Sequence, residues 1–83
     1  MQTERAFLFL SELPVGGSGD VVALEAPGPA RQRLLDLGLV PGTRVEVLRR
    51  SPGGDPVAFR IRGAVIALRR EASRAVLIRL AEA

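Results

Sequence analysis

The side chains able to do chemistry in this chain are nine carboxylates and twelve arginines, and histidine, cysteine, lysine, tryptophan and tyrosine are absent. That leaves no imidazole base, no Ser-His arrangement, no thiolate nucleophile and none of the nitrogen and sulfur donors that zinc and most transition-metal sites use. The carboxylates stand singly along the chain, with no calcium-type loop and no run of acids that would gather several oxygen ligands. A perturbed acid pair for proton transfer is equally unadvertised. The expectation is a protein without catalytic residues, metal site or cofactor, whose work is contact.

Two motifs invite a chemical reading and fail it. Val15-Gly16-Gly17-Ser18-Gly19 has the glycines of a phosphate-binding loop, but no lysine follows and the next residues read as a strand rather than a helix. It is expected to be a loop. The arginines suggest a nucleic-acid surface, because residues 1–42 hold three arginines against five carboxylates and residues 43–83 hold nine against four. Small barrels that bind single strands combine such charge with aromatic platforms. Here only Phe7, Phe9 and Phe59 are aromatic, and Phe59 is in phase with core residues. Nucleic acid is therefore not the expected partner.

The elements that must position these charges follow from periodicity. Residues 1–10 read as an N-terminal extension ending in the apolar stretch Ala6–Leu10, and residues 11–83 as one domain. Ser11-Glu12-Leu13-Pro14 reads as a turn that Ser11 caps. A first strand is expected over Asp20–Glu25. From Pro29 to Leu37 the spacing becomes helical, with Ala30, Leu34 and Leu37 on one stripe, proline in the first turn and Gly38 as the left-handed cap.

Thr43–Arg50 alternates, with Val45 and Val47 on one face and Arg44 and Glu46 on the other. Val57, Phe59 and Ile61 alternate in the same way beyond the turn-rich Ser51–Pro56, so the two strands form a hairpin. Gly63 permits a reversal into a strand carrying Ala64, Ile66 and Leu68 on one side. A helical turn over Arg70–Arg74 leads to a last strand with Val76, Ile78 and Leu80 in phase, able to close the sheet. The fold class is all-β: a small, partly open barrel of about five strands, with one short α-helix between strands 1 and 2.

The absence of cysteine fits a reducing compartment, and the apolar run near the start is far shorter than the about 18 residues of a membrane span. A cytoplasmic location is expected.

The order of several weak signals is more specific than any of them alone. Arg33-Leu34-Leu35-Asp36-Leu37-Gly38-Leu39-Val40-Pro41-Gly42, the turn Pro52-Gly53-Gly54-Asp55-Pro56, the single Gly63, and Ile66-Ala67-Leu68-Arg69 with Ala72 and Leu77-Ile78 together resemble the ferrous iron transport protein A (FeoA) family. That resemblance implies an SH3-like barrel and a non-enzymatic role in bacterial ferrous iron uptake, through contact with the cytosolic GTP-binding domain of the membrane importer FeoB. The chain would then be peripheral to the membrane through its partner.

The partner-binding candidates are Leu35, Leu39 and Val40 around the helix end, with Arg49, Arg50, Arg60 and Arg62 as an electrostatic rim. The alternatives are a regulatory module like the C-terminal domain of iron-dependent repressors, or a nucleic-acid-binding barrel. Self-association is also compatible with an apolar rim.

Overall fold

In the computed structural model, which describes residues 6–81, the chain forms six antiparallel strands, two short α-helices and a 3-10 turn. The elements are β1 (Phe7–Phe9), the 3-10 turn (Leu10–Glu12), β2 (Ser18–Leu24), α1 (Gly28–Asp36), β3 (Arg44–Arg50), β4 (Val57–Ile61), β5 (Ala64–Leu68), α2 (Arg70–Ser73) and β6 (Val76–Leu80). Their order in the sheet is β1-β6-β2-β3-β4-β5.

The alternation read in the sequence sets which side chains enter the core. Val57, Phe59 and Ile61 of β4 are buried, whereas Arg60 between them is exposed. Val45 and Val47 of β3 and Val76 and Ile78 of β6 behave likewise. Each such side chain contributes about 1.5–3 kcal/mol by leaving water. Register shifts between Val21 and Ala23 on β2, and between Val47 and Arg49 on β3, bend the sheet so that its inner face curls around these residues.

The structure corrects several expectations. There are six strands because Phe7–Phe9, read as part of an N-terminal extension, pair with Leu77–Arg79 of β6. Leu10, also within the expected extension, is 1% exposed, so the residues from Phe7 onward belong to the packed body and residues 1–5 lie outside the described ones. The helix consequently falls between β2 and β3.

The chain turns before the sheet at Leu10–Glu12, and the Phe9 amide donates to Glu12 Oε1 at 2.8 Å, so Glu12 rather than Ser11 satisfies the turn. Strand β2 also starts earlier than expected, because Ser18 and Gly19 pair with Glu46 and Val45. On its other side Gly19 faces Leu80, and a Cβ at Gly19 would lie 2.6 Å from the Arg79 carbonyl oxygen. Only glycine fits such an approach. Finally, β6 does not close the sheet against β5 but inserts between β1 and β2, leaving the barrel partly open.

Helix α1 buries less than its stripe suggested: Leu34 is buried, Leu37 is half-buried and Ala30 is exposed. Its end is closed firmly. The Leu39 amide donates to the Leu34 carbonyl at 3.1 Å and the Gly38 amide to the Leu35 carbonyl at 2.9 Å, with Gly38 at φ +102°. This Schellman arrangement brings the residue after the glycine onto the last helical turn, where apolar side chains meet. Leu39 and Leu34 are accordingly both in the core.

Candidate partner-binding surface

The helix end and the arginines expected to surround it are placed by two turns. At the first, the Schellman closure sends Leu39 inward, with no exposed surface at all. Leu39 is therefore corrected from contact residue to core residue, because the motif that ends the helix also buries it. Leu35 and Val40 remain half-buried at the surface.

The second turn is Arg62-Gly63, between β4 and β5. Both residues have positive φ, +52° and +82°, the two-residue form whose twist matches antiparallel strands. This geometry lays the Arg62 side chain over the helix end, since a Cβ on Gly38 would stand 3.0 Å from Arg62 Cδ. The structure thus brings Arg62 beside the Leu35–Val40 segment.

It does not bring all four arginines there. Arg60 faces Glu46 across β3 and β4, with Nε to Oε1 at 3.5 Å. Arg49 and Arg50 lie toward the opposite end of β3, and Arg50 is four positions along the strand from Glu46, about 13 Å at the usual rise. Arg50 has a structural task, because its Nη2 donates to the Leu13 carbonyl at 3.0 Å and ties the segment after the 3-10 turn to β3. The expected rim is two separate groups.

One charged residue of this region escaped the sequence reading. Arg44 donates from Nε to Asp20 Oδ1 at 2.6 Å across β2 and β3. That hydrogen bond, helped by the positive charges of Arg44 and Arg79, holds the Asp20 carboxyl below the ordinary carboxylate range, although partial desolvation opposes it. Asp20 pairs with Arg79 on its other side, and Arg79 lies 5.8 Å from the centre of the Phe7 ring. A continuous row, Phe7-Arg79-Asp20-Arg44, therefore crosses four strands on the outer face. Alternation alone directs Arg44 outward, but its partner lies 24 positions away and is visible only in the folded sheet.

Arg44, Arg60 and Arg62 line one open cleft with Thr43, Glu46 and Gly63. Asp20 and Glu46 engage the first two, whereas Arg62 makes no ion pair among the described residues. The cleft, cationic apart from Glu46, suits a carboxylate or another anion as a contact. The pocket beneath the 3-10 turn, lined by Leu10, Leu13, Arg50 and Phe59 among others, has about 10 Å³ of free space. That is room for about one water rather than a substrate. Among the described residues no three His, Cys, Asp or Glu side chains gather to hold a metal ion. Nor is any described helix long and apolar enough to cross a membrane.

Comparison with known proteins agrees with this architecture. The model of the FeoA domain matches residues 9–80. A Fe(2+) transport protein A/Fe(2+) transporter FeoB fusion protein of Porphyromonas gingivalis is 37% identical over 71 residues, which are 86% of this chain and 8% of that protein. The FeoA protein of Chlorobium tepidum superposes with a TM-score of 0.79 at 37% identity, covering 89% of this chain and 71% of that one. FeoA of Stenotrophomonas maltophilia, described as a procaryotic SH3 domain protein and crystallised with zinc, gives 0.76 at 31% identity, over 86% and 88% of the two chains. A manganese-dependent transcriptional repressor shares the fold alone, with a TM-score of 0.82 at 19% identity over 95% of this chain and 44% of that one. The strand order, the helix closed at Gly38 and a family match from residue 9 to residue 80 lead to one assignment: the chain belongs to the FeoA domain family and has its SH3-like barrel fold.

Proposed function

We propose that this chain is a non-enzymatic accessory protein of ferrous iron uptake that acts in the cytoplasm by binding the GTP-binding domain of a FeoB-like importer. The observation that carries this reading is the Porphyromonas gingivalis relative, in which a FeoA-type segment similar to this chain is covalently joined to a FeoB transporter. Fusion holds two modules at an effective concentration of about millimolar, which is of use when the modules work on each other. The chain's own surface is consistent with a binding role: it offers arginines, an open cleft and half-buried apolar residues.

The test is calorimetric titration of the chain into the cytosolic domain of the cognate importer, with and without guanine nucleotide, at low and moderate salt. Saturable binding that weakens with salt is expected, because the cationic half of the chain contributes to encounter. Absence of binding under every condition would overturn the reading. Likeness to the repressor at 19% identity concerns the fold and supplies no observation in favour of a repressor-type role.

A further inference from the structure

The partner reading leaves open how contact is made, and the β5 edge of the sheet supplies a mode. Strand β5 is last in the order β1-β6-β2-β3-β4-β5, so its outer side pairs with no other strand among the described residues. Natural edge strands are usually blunted by charge, proline, bulges or shortness. Ala64-Val65-Ile66-Ala67-Leu68 has five residues in unbroken register with β4 and no charged residue or proline. The other edge, β1, has only three residues.

The turn chemistry says which groups are available. A two-residue turn with both residues at positive φ makes its flanking pair, Ile61 and Ala64, exchange both backbone hydrogen bonds. Antiparallel pairs alternate between bonded and non-bonded. Phe59 with Ile66 and Val57 with Leu68 are then bonded pairs, and the amides and carbonyls of Val65 and Ala67 point away from β4. Val65 is 56% exposed and Ala67 is also exposed, and no described strand pairs with this side.

Charge selects the occupant. From Val57 to Arg70 the chain holds four arginines and no carboxylate, and of the acids just outside this stretch Asp55 is taken up by the Arg70 amide at 2.9 Å. Arg60 and Arg62 stand at one end of β5, and Arg69 and Arg70 at the other. A second copy pairing antiparallel along β5, with Val65 opposite Ala67 of its mate, would set Arg62 of each molecule against Arg70 of the other, an unfavourable contact of like charges. An extended segment with acidic residues at its ends meets no such penalty.

We propose that the β5 edge receives an extended, acid-flanked segment of the partner protein by strand addition. The segment's backbone pairs with Val65 and Ala67, while its terminal carboxylates meet Arg62 at the cleft and Arg69 at the start of α2. Backbone pairing supplies affinity in this mode, and the flanking charges supply direction and choice of partner. The proposal rests on the partner-contact reading above and names the surface that performs it.

The experiment is amide hydrogen exchange on the full chain, followed residue by residue by NMR, alone and with the cognate importer's cytosolic domain. In the free chain the amides of Val65 and Ala67 should exchange rapidly, and addition of the importer domain should protect both by at least about tenfold. The double variant Arg62→Asn, Arg69→Gln should lower affinity at least about tenfold at low salt and leave thermal unfolding unchanged. Asparagine is chosen at 62 because it tolerates positive φ. If the importer domain binds but Val65 and Ala67 stay unprotected, the proposal is wrong while the partner reading stands.

If the importer domain does not bind, the partner reading fails. A nine-residue probe with two glutamates at each end, and alternating valine and threonine between them, then decides the proposal. Protection by that probe, absent with a lysine-ended counterpart, upholds an acid-selective edge, and equal effects or none overturn it. Protection that grows with the chain's own concentration would show that a second copy occupies β5, and would also overturn it.

Discussion

The two edges of the sheet carry arginine in different ways. At the β1 edge, Arg79 lies over the Phe7 ring and beside Asp20, which in turn holds Arg44 at 2.6 Å. Charge there is absorbed in a row of neighbours that crosses four strands. At the β5 edge, Arg62 and Arg69 have no ionic partner among the described residues, and the strand between them has no charge of its own. The arginines of the two edges thus divide into those that hold the sheet and those with no ionic partner among the described residues. The division follows from where Asp20 comes to rest, on β2 and three places from β5 in the strand order.

The most severe test of this contrast removes what holds the β5 arm and the helix end to the core. Leu39→Ala empties a fully buried site under the turn that carries Arg62, and should cost about 2–5 kcal/mol in urea unfolding. Any loss of partner binding by this variant would then track unfolding; a variant that unfolds like the parent would show that Leu39 is not the core residue described. Gly19→Ala strikes the opposite arm, where the added methyl meets the Arg79 carbonyl. Forcing β2 and β6 apart should cost about 1–3 kcal/mol, read as a lowered melting temperature by circular dichroism.

A smaller effect on stability with a large effect on contact is expected at the β5 edge. Val65→Glu places on the edge a charge of the same sign as the acidic segment and should change stability by no more than about 0.5 kcal/mol. Titration with the importer domain should nevertheless lose most of its affinity, and retained affinity would place the contact elsewhere. The slightest effect belongs to the ionic row. Because the Asp20 carboxyl is held below its ordinary value, its pairing favours the folded state above the unfolded pKa and is lost as pH falls through the lower folded pKa. Asp20→Asn should therefore lower stability at neutral pH and make no difference in strong acid; an equal loss at both pH values would contradict an ionic role.

Much of this molecule is legible along the chain. Alternation at Val57-Phe59-Ile61 and at Val45-Val47 gives the strands and their inward faces, because a period of two places such side chains together whatever the strand's neighbours are. Even the burial of Leu39 has a local signal. Glycine at 38 with leucines at 34 and 39 is the pattern of a Schellman closure, in which the residue after the glycine folds back on the helix. The small size of the core argues for exposure at such a leucine, and the cap geometry overrides that argument. Phe7–Phe9 were missed for a different reason: three residues are too few to show a period, and their strand exists only because β6 offers an edge to them.

The chain by itself determines that there are antiparallel strands with a defined inner face, a short helix closed at Gly38, a basic second half and no histidine, cysteine or lysine for imidazole, thiol or amine chemistry. These depend on local backbone preference, side-chain period and residue type, none of which needs distant contacts. Only the tertiary structure decides that β6 lies between β1 and β2, that Asp20 meets Arg44 while Arg62 pairs with no acid among the described residues, and that β5 ends the sheet they form. Strand order is a choice among pairings far apart in sequence, made by how the curled sheet best covers its core. The edge that remains after that choice is a property of the whole fold and of no single segment.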